Sequence, residues 1–376
     1  MELDNGFGDM NLSHHVMKDL EHQGLSTPMP IQSQAIPVLM GGRDLIGQAR
    51  TGTGKTLAFA IPIVERVDLE GRHVQALVVT PTRELAQQVA GEIHKISYNK
   101  RVTVEAFYGG TSISNQAKAL QRGVHVVVGT PGRLLDLMER RLLRLDRVST
   151  LVLDEADRML DMGFIDDIRR IISHLPADRQ TMLFAATMPD EIRVLAREIM
   201  LDPQEITVSC DTLTVDEVDQ YYYEVPKTEK FDAFMEVMRS EKPDSAIIFC
   251  NTKRWADTLG KLMNRRGLRV EVLHGDMSQN QRDRAMENFR GKKIRYLIAT
   301  DVAARGLDID DVSHIFNYDI PRERENYVHR IGRTARAGKS GKAISFISSQ
   351  ETHDLWGIEH FARTKIQQAT LPYVRH

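Results

Sequence analysis

The chain has 376 residues, 41% of them hydrophobic and 27% charged, and its formal net charge is −2. At about 150 residues per domain, this length predicts two or three domains, and the composition excludes a broadly disordered chain. The near-neutral charge excludes a global basic field, so any nucleic-acid site must be a local patch.

The cysteine content and the hydropathy of the chain indicate its cellular compartment. The two cysteines, Cys210 and Cys250, are far apart in sequence and lack metal-like spacing, so we expect neither a disulfide scaffold nor a cysteine-bound zinc. No apolar run approaches the ~18 residues of a membrane span, and the N-terminus does not resemble a signal peptide. The sequence therefore predicts a cytoplasmic globular protein that does not associate with membranes.

Short β-branched runs recur along the chain, with room for a helix between them. Helical spacing is present in intervening segments such as Glu84–Ile96 and Trp255–Arg266. Continuous apolar runs suit strands that are covered on both faces, so the pattern predicts an α/β fold with mainly parallel sheets. The predicted strands are 44–49, 76–80, 124–130, 150–154, 181–185, 245–250, 270–274, 294–300, 314–318 and 342–347.

A break in the pattern divides the chain into two halves. Pro203 follows an apparent helix end, and the polar stretch 209–219 has no strong period. The sequence therefore predicts an N-terminal domain over 1–207, a linker over 208–218 and a C-terminal domain over 219–370.

The first predicted strand runs into a glycine-rich loop that a helical run follows. Glycines let backbone N–H groups approach phosphate oxygens, and the helix N-terminus favours negative charge. Lys55 would then reach the β- and γ-phosphates of a nucleotide, and the Thr56 hydroxyl would ligate Mg²⁺. The usual first glycine is Ala49 here, and the alternative is a strand–helix turn without a ligand. The loop consists of Ala49, Arg50, Thr51, Gly52, Thr53, Gly54, Lys55 and Thr56.

Carboxylates follow the fourth apolar run at Asp154, Glu155 and Asp157. An apolar strand that ends in acid is the pattern for Asp154 reaching the metal of a nucleotide site. Glu155 is placed to polarise a water molecule towards the γ-phosphate. The three carboxylates could instead form a solvated turn, but the phosphate-binding loop favours the catalytic interpretation.

Other strand ends carry threonine, arginine and glycine. Ligands bind open α/β sheets beyond the carboxyl ends of the strands, and phosphate-backbone contact needs only such side chains and free N–H groups. Helix capping is the alternative role for the threonines. Together the residues favour a polyanion. They are Thr82, Arg83, Gly109, Gly110, Thr130, Gly132 and Arg133.

The second half has no equivalent loop but has a local excess of arginine. Arg330, Arg333 and Arg336 recur every three residues, so on one helix they would share a broad face. A solvated basic helix is one interpretation. The other is that some of them are arginine fingers that stabilise charge on the γ-phosphate in the transition state.

In order and spacing, these residues resemble the DEAD-box family of ATP-dependent RNA helicases, which is named for the four letters at 154–157. The resemblance spans about 7–347 and implies two RecA-like domains with a short flexible linker, and the cofactors ATP and Mg²⁺. Residues 24–32 match the family's adenine-reading element. The resemblance implies that Gln32 hydrogen-bonds the adenine edge while Phe7 stacks on the ring.

The resemblance also implies roles for residues in both halves. It assigns Asp308 to the ATP ribose, and Arg333 and Arg336 to the arginine fingers. A polar link through Asp157, Thr187 and His329 would couple ATP to domain closure. RNA-backbone contacts in the first domain would be the seven strand-end residues named above. In the second domain they would be Gln279, Arg282, Thr300 and Asp301.

The implied activity is RNA-stimulated ATP hydrolysis by a monomeric core that opens short RNA duplexes locally or remodels ribonucleoproteins. The RNA would be held by its sugar–phosphate backbone, with little sequence preference. Where the family has Ser-Ala-Thr, this chain has Ala185, Ala186 and Thr187. Loss of the hydroxyl predicts weaker coupling of ATP to strand separation and favours an alternative, an ATP-dependent RNA clamp. The Gln32 element disfavours a second alternative, a processive DNA translocase.

Overall fold

A computed structural model describes residues 6–49, 52–208, 218–304, 312–334, 341–362 and 364–372, without the side chains of residues 279, 280, 302 and 325. Backbone contacts divide the chain into two compact units, Met1–Cys210 (unit 1) and Asp211–His376 (unit 2). Most of the predicted linker lies outside the described residues. Within them, no helix is both long and apolar enough to cross a membrane.

Unit 1 is a seven-stranded sheet in the order β3-β4-β2-β5-β6-β1-β7, covered by helices. Its strands are β1 (Leu45–Gln48), β2 (Ala76–Val79), β3 (Val104–Phe107), β4 (Val126–Gly129), β5 (Thr150–Asp154), β6 (Gln180–Ala185) and β7 (Gln204–Thr207). After a 3-10 turn at Phe7–Met10, its helices are α1 (His14–His22), α2 (Pro30–Met40), α3 (Lys55–Arg66), α4 (Arg83–Ile96), α5 (Ile113–Arg122), α6 (Pro131–Glu139), α7 (Ala156–Asp161), α8 (Ile165–Ile172) and α9 (Asp190–Ile199).

Unit 2 is also a seven-stranded sheet, in the order β10-β11-β9-β12-β13-β8-β14. Its strands are β8 (Val218–Glu224), β9 (Ala246–Phe249), β10 (Val270–Leu273), β11 (Tyr296–Ala299), β12 (His314–Asn317), β13 (Gly341–Ile347) and β14 (Gln367–Gln368). Its helices are α10 (Lys230–Glu241), α11 (Lys253–Arg265), α12 (Gln279–Arg290), α13 (Asp301–Ala304), α14 (Arg324–Ile331) and, after a 3-10 turn at Ser349–Glu351, α15 (Thr352–Ala362).

The two sheets share one topology. Counted from the first strand of each unit, both orders read 3-4-2-5-6-1-7, and the paired strands run parallel. Successive residues of a strand point to opposite faces, so Val126 and Val128 enter one core while Val127 enters the other. The prediction of two α/β domains with mainly parallel sheets is confirmed.

The sequence analysis missed four strands because they are not continuous apolar runs. Exposed or half-exposed residues interrupt or make up the strands β3, β7, β8 and β14. The prediction that three arginines share one helix is wrong. The helix α14 ends at Ile331, so Arg333 lies beyond it, and Arg336 is outside the described residues.

Candidate active site

The predicted nucleotide and RNA residues of unit 1 meet along one edge of its sheet. Because the strands are parallel, their carboxyl ends share this edge. The neighbours β5, β6 and β1 carry the acidic motif and the glycine-rich loop, while β3, β4 and β2 carry the predicted RNA residues. The topology therefore places the two sets on adjacent halves of a single edge.

The glycine-rich loop surrounds a buried lysine. Gly52 and Gly54 have φ angles of 82° and 86°, in the left-handed region that favours glycine. A Cβ on Gly54 would collide with the Gln32 amide, so this position requires glycine. Lys55 begins α3, is 6% exposed, and its Nζ has no hydrogen-bond partner among the described residues. A buried ammonium without a hydrogen-bond partner is costly, and an anion beside it would supply the missing acceptors.

The start of the loop shows why alanine is tolerated in place of the usual glycine. Ala49 is 2% exposed, and its N–H donates to the Ala185 carbonyl at 3.0 Å, which continues the β1–β6 pairing. Ala49 is not among the described residues with a positive φ, so its backbone conformation does not require glycine. Thr51 lies outside the described residues. Thr53 in the loop and Thr56 in the first turn of α3 are both half-buried.

Gln32 connects the adenine-reading element to the loop. Its Oε1 accepts from the Met29 N–H at 2.8 Å, and its Nε2 donates to the Gly54 carbonyl at 3.0 Å. Gln32 is 2% exposed and Phe7 is also 2% exposed, the latter within the unit 1 core. Both side chains are therefore engaged inside the protein, and their contacts with adenine stay predictions.

Asp154 ends β5 in a fully buried position. Burial raises the pKa of Asp154 to about 7 against the opposing effect of the Lys55 ammonium, and the Glu155 carboxylate adds to the rise. Its Oδ1 accepts from the Glu155 N–H at 3.0 Å. A divalent cation would favour the ionised carboxylate.

The donors available near Asp154 fit Mg²⁺. The Thr56 hydroxyl and the Asp154 carboxylate are oxygen ligands, and Mg²⁺ commonly uses one or two carboxylates together with substrate phosphates. No group of three or more His, Cys, Asp and Glu suited to a metal occurs among the described residues.

Glu155 is held by an arginine that sequence reasoning missed. Its Oε2 lies 3.0 Å from the Arg158 Nη1, and the two side chains are 10% and 8% exposed. Glu155 adopts a left-handed conformation with φ of 53°, which directs the chain from β5 into α7. The i, i+3 spacing of Glu155 and Arg158 was the available signal.

The predicted coupling residues of unit 1 are in contact. The Asp157 Oδ2 accepts from the N–H groups of Ala186 and Thr187 at 3.1 and 2.8 Å, and from the Thr187 hydroxyl at 3.0 Å. Ala185 is fully buried in the core cluster beside this link. His329 lies on α14 of unit 2.

The predicted RNA residues of unit 1 have partly structural roles. Gly110, with φ of 83°, lets the Arg83 guanidinium lie against its backbone, because a Cβ there would collide with it. The Arg133 Nη1 donates to the Gln116 Oε1 at 2.7 Å, which ties α6 to α5. The Thr82 hydroxyl accepts from the Leu85 N–H at 3.3 Å as a helix cap.

The remaining predicted positions of this edge are simpler. Thr130 precedes α6 without a side-chain capping bond, Gly132 is exposed with open space around it, and Gly109 is half-buried. Their RNA contacts stay predictions.

In unit 2 the strand ends are joined by Arg330, which is 1% exposed. It donates to both Asp301 carboxylate oxygens at 2.6 and 2.8 Å. It also donates to the side chains of Asn251 and Asn317 at 3.1 Å each and to the Asp319 carbonyl at 2.6 Å. Arg330 is therefore a buried structural residue, which the helical-face interpretation missed.

The other predicted residues of unit 2 are described only in part. The Arg282 Nη2 donates to the Ala303 carbonyl at 3.5 Å, and Thr300 directly precedes α13. Gln279 begins α12, but its side chain lies outside the described part of the structure, as does Asp308.

Comparison with known proteins identifies the family. The model of the DEAD/DEAH box helicase matches residues 29–195, and that of the helicase conserved C-terminal domain matches 229–338. The chain is 50% identical to the DEAD-box ATP-dependent RNA helicase CshA of Geobacillus kaustophilus, covering 97% of this chain and 78% of that protein. It is 47% identical to CshA of Bacillus subtilis, covering 97% and 74%.

A solved structure has the same architecture. Dbp5 of S. cerevisiae bound to RNA and ADP BeF3 matches with a TM-score of 0.87 at 34% identity, covering 96% of this chain and 95% of that one. The first family model matches unit 1 and the second matches unit 2. The acidic motif and the glycine-rich loop lie on one edge of the unit 1 sheet. The chain belongs to the DEAD-box family of ATP-dependent RNA helicases, enzymes that hydrolyse ATP.

Proposed function

We propose that this helicase couples RNA-stimulated ATP hydrolysis to local, non-processive opening of short RNA duplexes or to remodelling of ribonucleoproteins. The observation that carries the proposal is the Lys55 ammonium, which is buried near Asp154 without a hydrogen-bond partner, on the edge that also carries the residues predicted to bind RNA. A triphosphate would satisfy this ammonium, and the left-handed glycines would expose N–H groups to its oxygens.

Unit 1 supplies most of the hydrolytic machinery. Lys55 would bind the β- and γ-phosphates. Thr56 and Asp154 would hold Mg²⁺, which when bound neutralises charge on the phosphate oxygens. Glu155 would orient the attacking water and accept its proton, with the carboxylate held in place by Arg158 at 3.0 Å. Arg158 acts as a positioning residue because it touches Glu155 and not the reacting atoms.

The base-recognition element also connects to the loop. Gln32 would exchange its bond with the Gly54 carbonyl for the adenine edge, so base recognition would change a contact of the phosphate loop. A site with paired polar groups rejects the wrong base, which favours ATP over GTP. Phe7 would have to leave its buried position to stack on adenine.

Unit 2 contributes charge and ribose contacts in this proposal. Arg333 and Arg336 would act as arginine fingers on the bound nucleotide, and Asp308 would contact the ribose. RNA would bind by its backbone at the strand-end residues of unit 1 and at Gln279, Arg282, Thr300 and Asp301 of unit 2. Asp157, Thr187 and His329 would transmit the nucleotide state.

Ala185 supports the second candidate, an RNA clamp. A buried methyl group stands where the family has a hydroxyl, so one polar group is missing beside the Asp157–Thr187 link. Loss of a hydrogen bond of ~0.5–1.5 kcal/mol weakens coupling without removing ATP binding. Such a protein would hold RNA for long periods and separate few strands for each ATP.

The deciding experiment measures ATPase activity with and without RNA, at two salt concentrations, beside duplex unwinding. RNA stimulation that falls at high salt, together with unwinding of short duplexes, supports the helicase proposal. Equal stimulation by DNA would contradict RNA specificity. Slow release of single-stranded RNA without unwinding would favour the clamp. We further propose a cytoplasmic, monomeric core that acts on ribonucleoproteins, which light scattering and RNA crosslinking would test.

A further inference from the structure

Unit 1 has a second concave site at the other edge of its sheet, where the strands begin. A surface pocket of about 420 Å³ lies beside Val74 and Val124, which precede β2 and β4. A strand of four residues spans about 13 Å, so this pocket lies at least that far from the carboxyl edge. A ligand here would compete with neither ATP nor RNA at that edge.

Arginines surround this pocket. Arg72, Arg144 and Arg147 line it, and Arg141 lines an adjoining hollow that shares Arg144. Arg144 is 82% exposed and pairs with Asp146 at 3.1 Å. Arg72, Arg141 and Arg147 are exposed, and their side chains form no hydrogen bond or ion pair with a described residue. The rim therefore carries a positive excess on a chain whose net charge is −2.

The floor of the pocket is apolar. Val74, Val124 and Leu143 are 8%, 2% and 4% exposed, and Leu120 and Leu142 are half-buried. The half-buried His73 and the exposed Asp146 are the polar members of the lining besides the arginines. A nucleic-acid backbone would use the guanidinium groups but not an aliphatic floor. A peptide with carboxylates and an apolar side chain would use both, because guanidinium groups bind carboxylates in bidentate pairs and interface anchors fill apolar pockets.

We propose that this pocket docks a segment of a partner protein in which acidic residues flank an aliphatic or aromatic side chain. The volume suits one or two side chains, within the lower range of small-ligand pockets. The segment would bind with its anchor between Val124 and Leu143 and its carboxylates on Arg72, Arg144 and Arg147. The site lies apart from the helicase machinery, so docking is expected to be compatible with RNA binding.

The test uses the full chain and a panel of short fluorescent peptides. Each carries Glu and Asp around a central Leu, Phe or Trp, and matched peptides carry Ser at the centre or Lys in place of the acids. We expect acidic peptides with an apolar centre to bind best. Simultaneous Arg72→Glu, Arg144→Glu and Arg147→Glu should weaken them by about 10-fold or more, as for hot-spot arginines, with RNA-stimulated ATPase unchanged.

Matched controls separate docking from general charge. Lys261→Glu, Arg265→Glu and Arg269→Glu make the same charge change on exposed residues of unit 2 and should leave peptide binding unchanged. Leu142→Asn should reduce binding only of peptides with an apolar centre. If no peptide distinguishes the parent chain from the pocket variant, the proposal is wrong. It is also wrong if the pocket variant loses affinity for an RNA duplex and not for the peptides.

Discussion

Both units place a lysine at the start of the helix after their first strand, but the two lysines have opposite environments. Lys55 begins α3, and its Nζ has no partner among the described residues. Lys230 begins α10. Its Nζ lies 3.5 Å from the Asp319 Oδ1 and 5.3 Å from the centre of the Tyr318 ring. Both lysines are buried, so their environments differ in whether a carboxylate pairs with the ammonium and not in exposure.

Strand register extends this correspondence to the acids. Leu153 pairs with Val79 in unit 1 as Asn317 pairs with Phe249 in unit 2, so Asp154 and Tyr318 occupy equivalent positions. Glu155 is then equivalent to Asp319, the partner of Lys230. Unit 2 pairs its buried lysine with its own Asp319 carboxylate, whereas in our proposal the Lys55 ammonium of unit 1 pairs with phosphate. The comparison shows that the sheet is a shared scaffold and that the residues after its strands decide whether the buried lysine is paired.

The largest expected effect is on the stability of unit 2. It tests whether hydrogen bonds between the unit's own residues stabilise the carboxyl edge of its sheet. Arg330→Ala removes the buried guanidinium and leaves the half-buried Asp301 carboxylate without its partner, so we expect a loss of about 3–5 kcal/mol in the free energy of unfolding of unit 2. Urea unfolding with hydrogen exchange of β9, β11 and β12 measures it. Arg158→Ala in unit 1 is the matched change. It should lower kcat and should cost less free energy of unfolding than Arg330→Ala. Equal stability losses in the two variants would contradict the comparison.

Replacing each of the two lysines by alanine separates a role in nucleotide binding from a role in folding. Lys55→Ala should reduce RNA-stimulated ATPase by about 10²–10³-fold, since it removes a preorganised charge from the phosphates. It should change stability little, because the cost of burying an ammonium without a hydrogen-bond partner offsets its attraction to the Asp154 carboxylate. Lys230→Ala should do the reverse, with a loss of about 1–3 kcal/mol and near-normal turnover. Thermal unfolding and ATPase of both variants check this, and normal turnover by Lys55→Ala would remove the proposed site.

The sequence allowed prediction of the strands and motifs that local pattern encodes. Central strands such as 150–154 were visible because both faces are covered, and the loop before Lys55 was visible because glycine has a distinct backbone role. The edge strands β3 and β7 were missed because half-exposed strands have no continuous apolar run. The role of Arg330 was missed for a different reason: its partners Asn251, Asp301 and Asn317 converge only when separate strands pair.

The same limit applies to the candidate site. The adenine role of Gln32 came from resemblance to a family, and no local pattern indicated that its amide would bond the Gly54 carbonyl 22 positions away. The Lys230–Asp319 pair has no motif in the sequence, because its two residues lie 89 positions apart and meet only in the folded sheet.

A smaller effect concerns Ala185. Ala185→Ser restores a hydroxyl beside the Asp157–Thr187 link, so we expect unwinding per ATP to rise by about 2–10-fold, the equivalent of ~0.5–1.5 kcal/mol. Parallel ATPase and strand-displacement assays give the ratio. Ala186→Ser adds the same hydroxyl one residue away as a control. Equal unwinding per ATP in the parent chain and the Ala185→Ser variant would remove the coupling proposal.

The smallest expected effect is an acid sensitivity of unit 2 that involves His314, the first residue of β12. Burial lowers the pKa of His314, while the Glu241 carboxylate opposes this change and the Lys342 ammonium reinforces it, with Asp244 also opposing. The folded state therefore binds the proton less readily than the unfolded state. The stability that His314 contributes is present above its unfolded pKa of about 6.5 and is lost as the pH falls through the lower folded value.

His314→Gln should flatten this dependence, because glutamine does not titrate but keeps polar atoms near Glu241 and Ser313. Hydrogen exchange of the β12 amides between about pH 7.5 and 5, corrected for intrinsic rates, measures it. His125→Gln is the matched control, since burial also lowers the pKa of His125 in unit 1 and its effect should stay in β4. If β12 opens equally with acid in the parent chain and the His314→Gln variant, another group causes the sensitivity, and Glu241, whose pKa is lowered, is the next to replace.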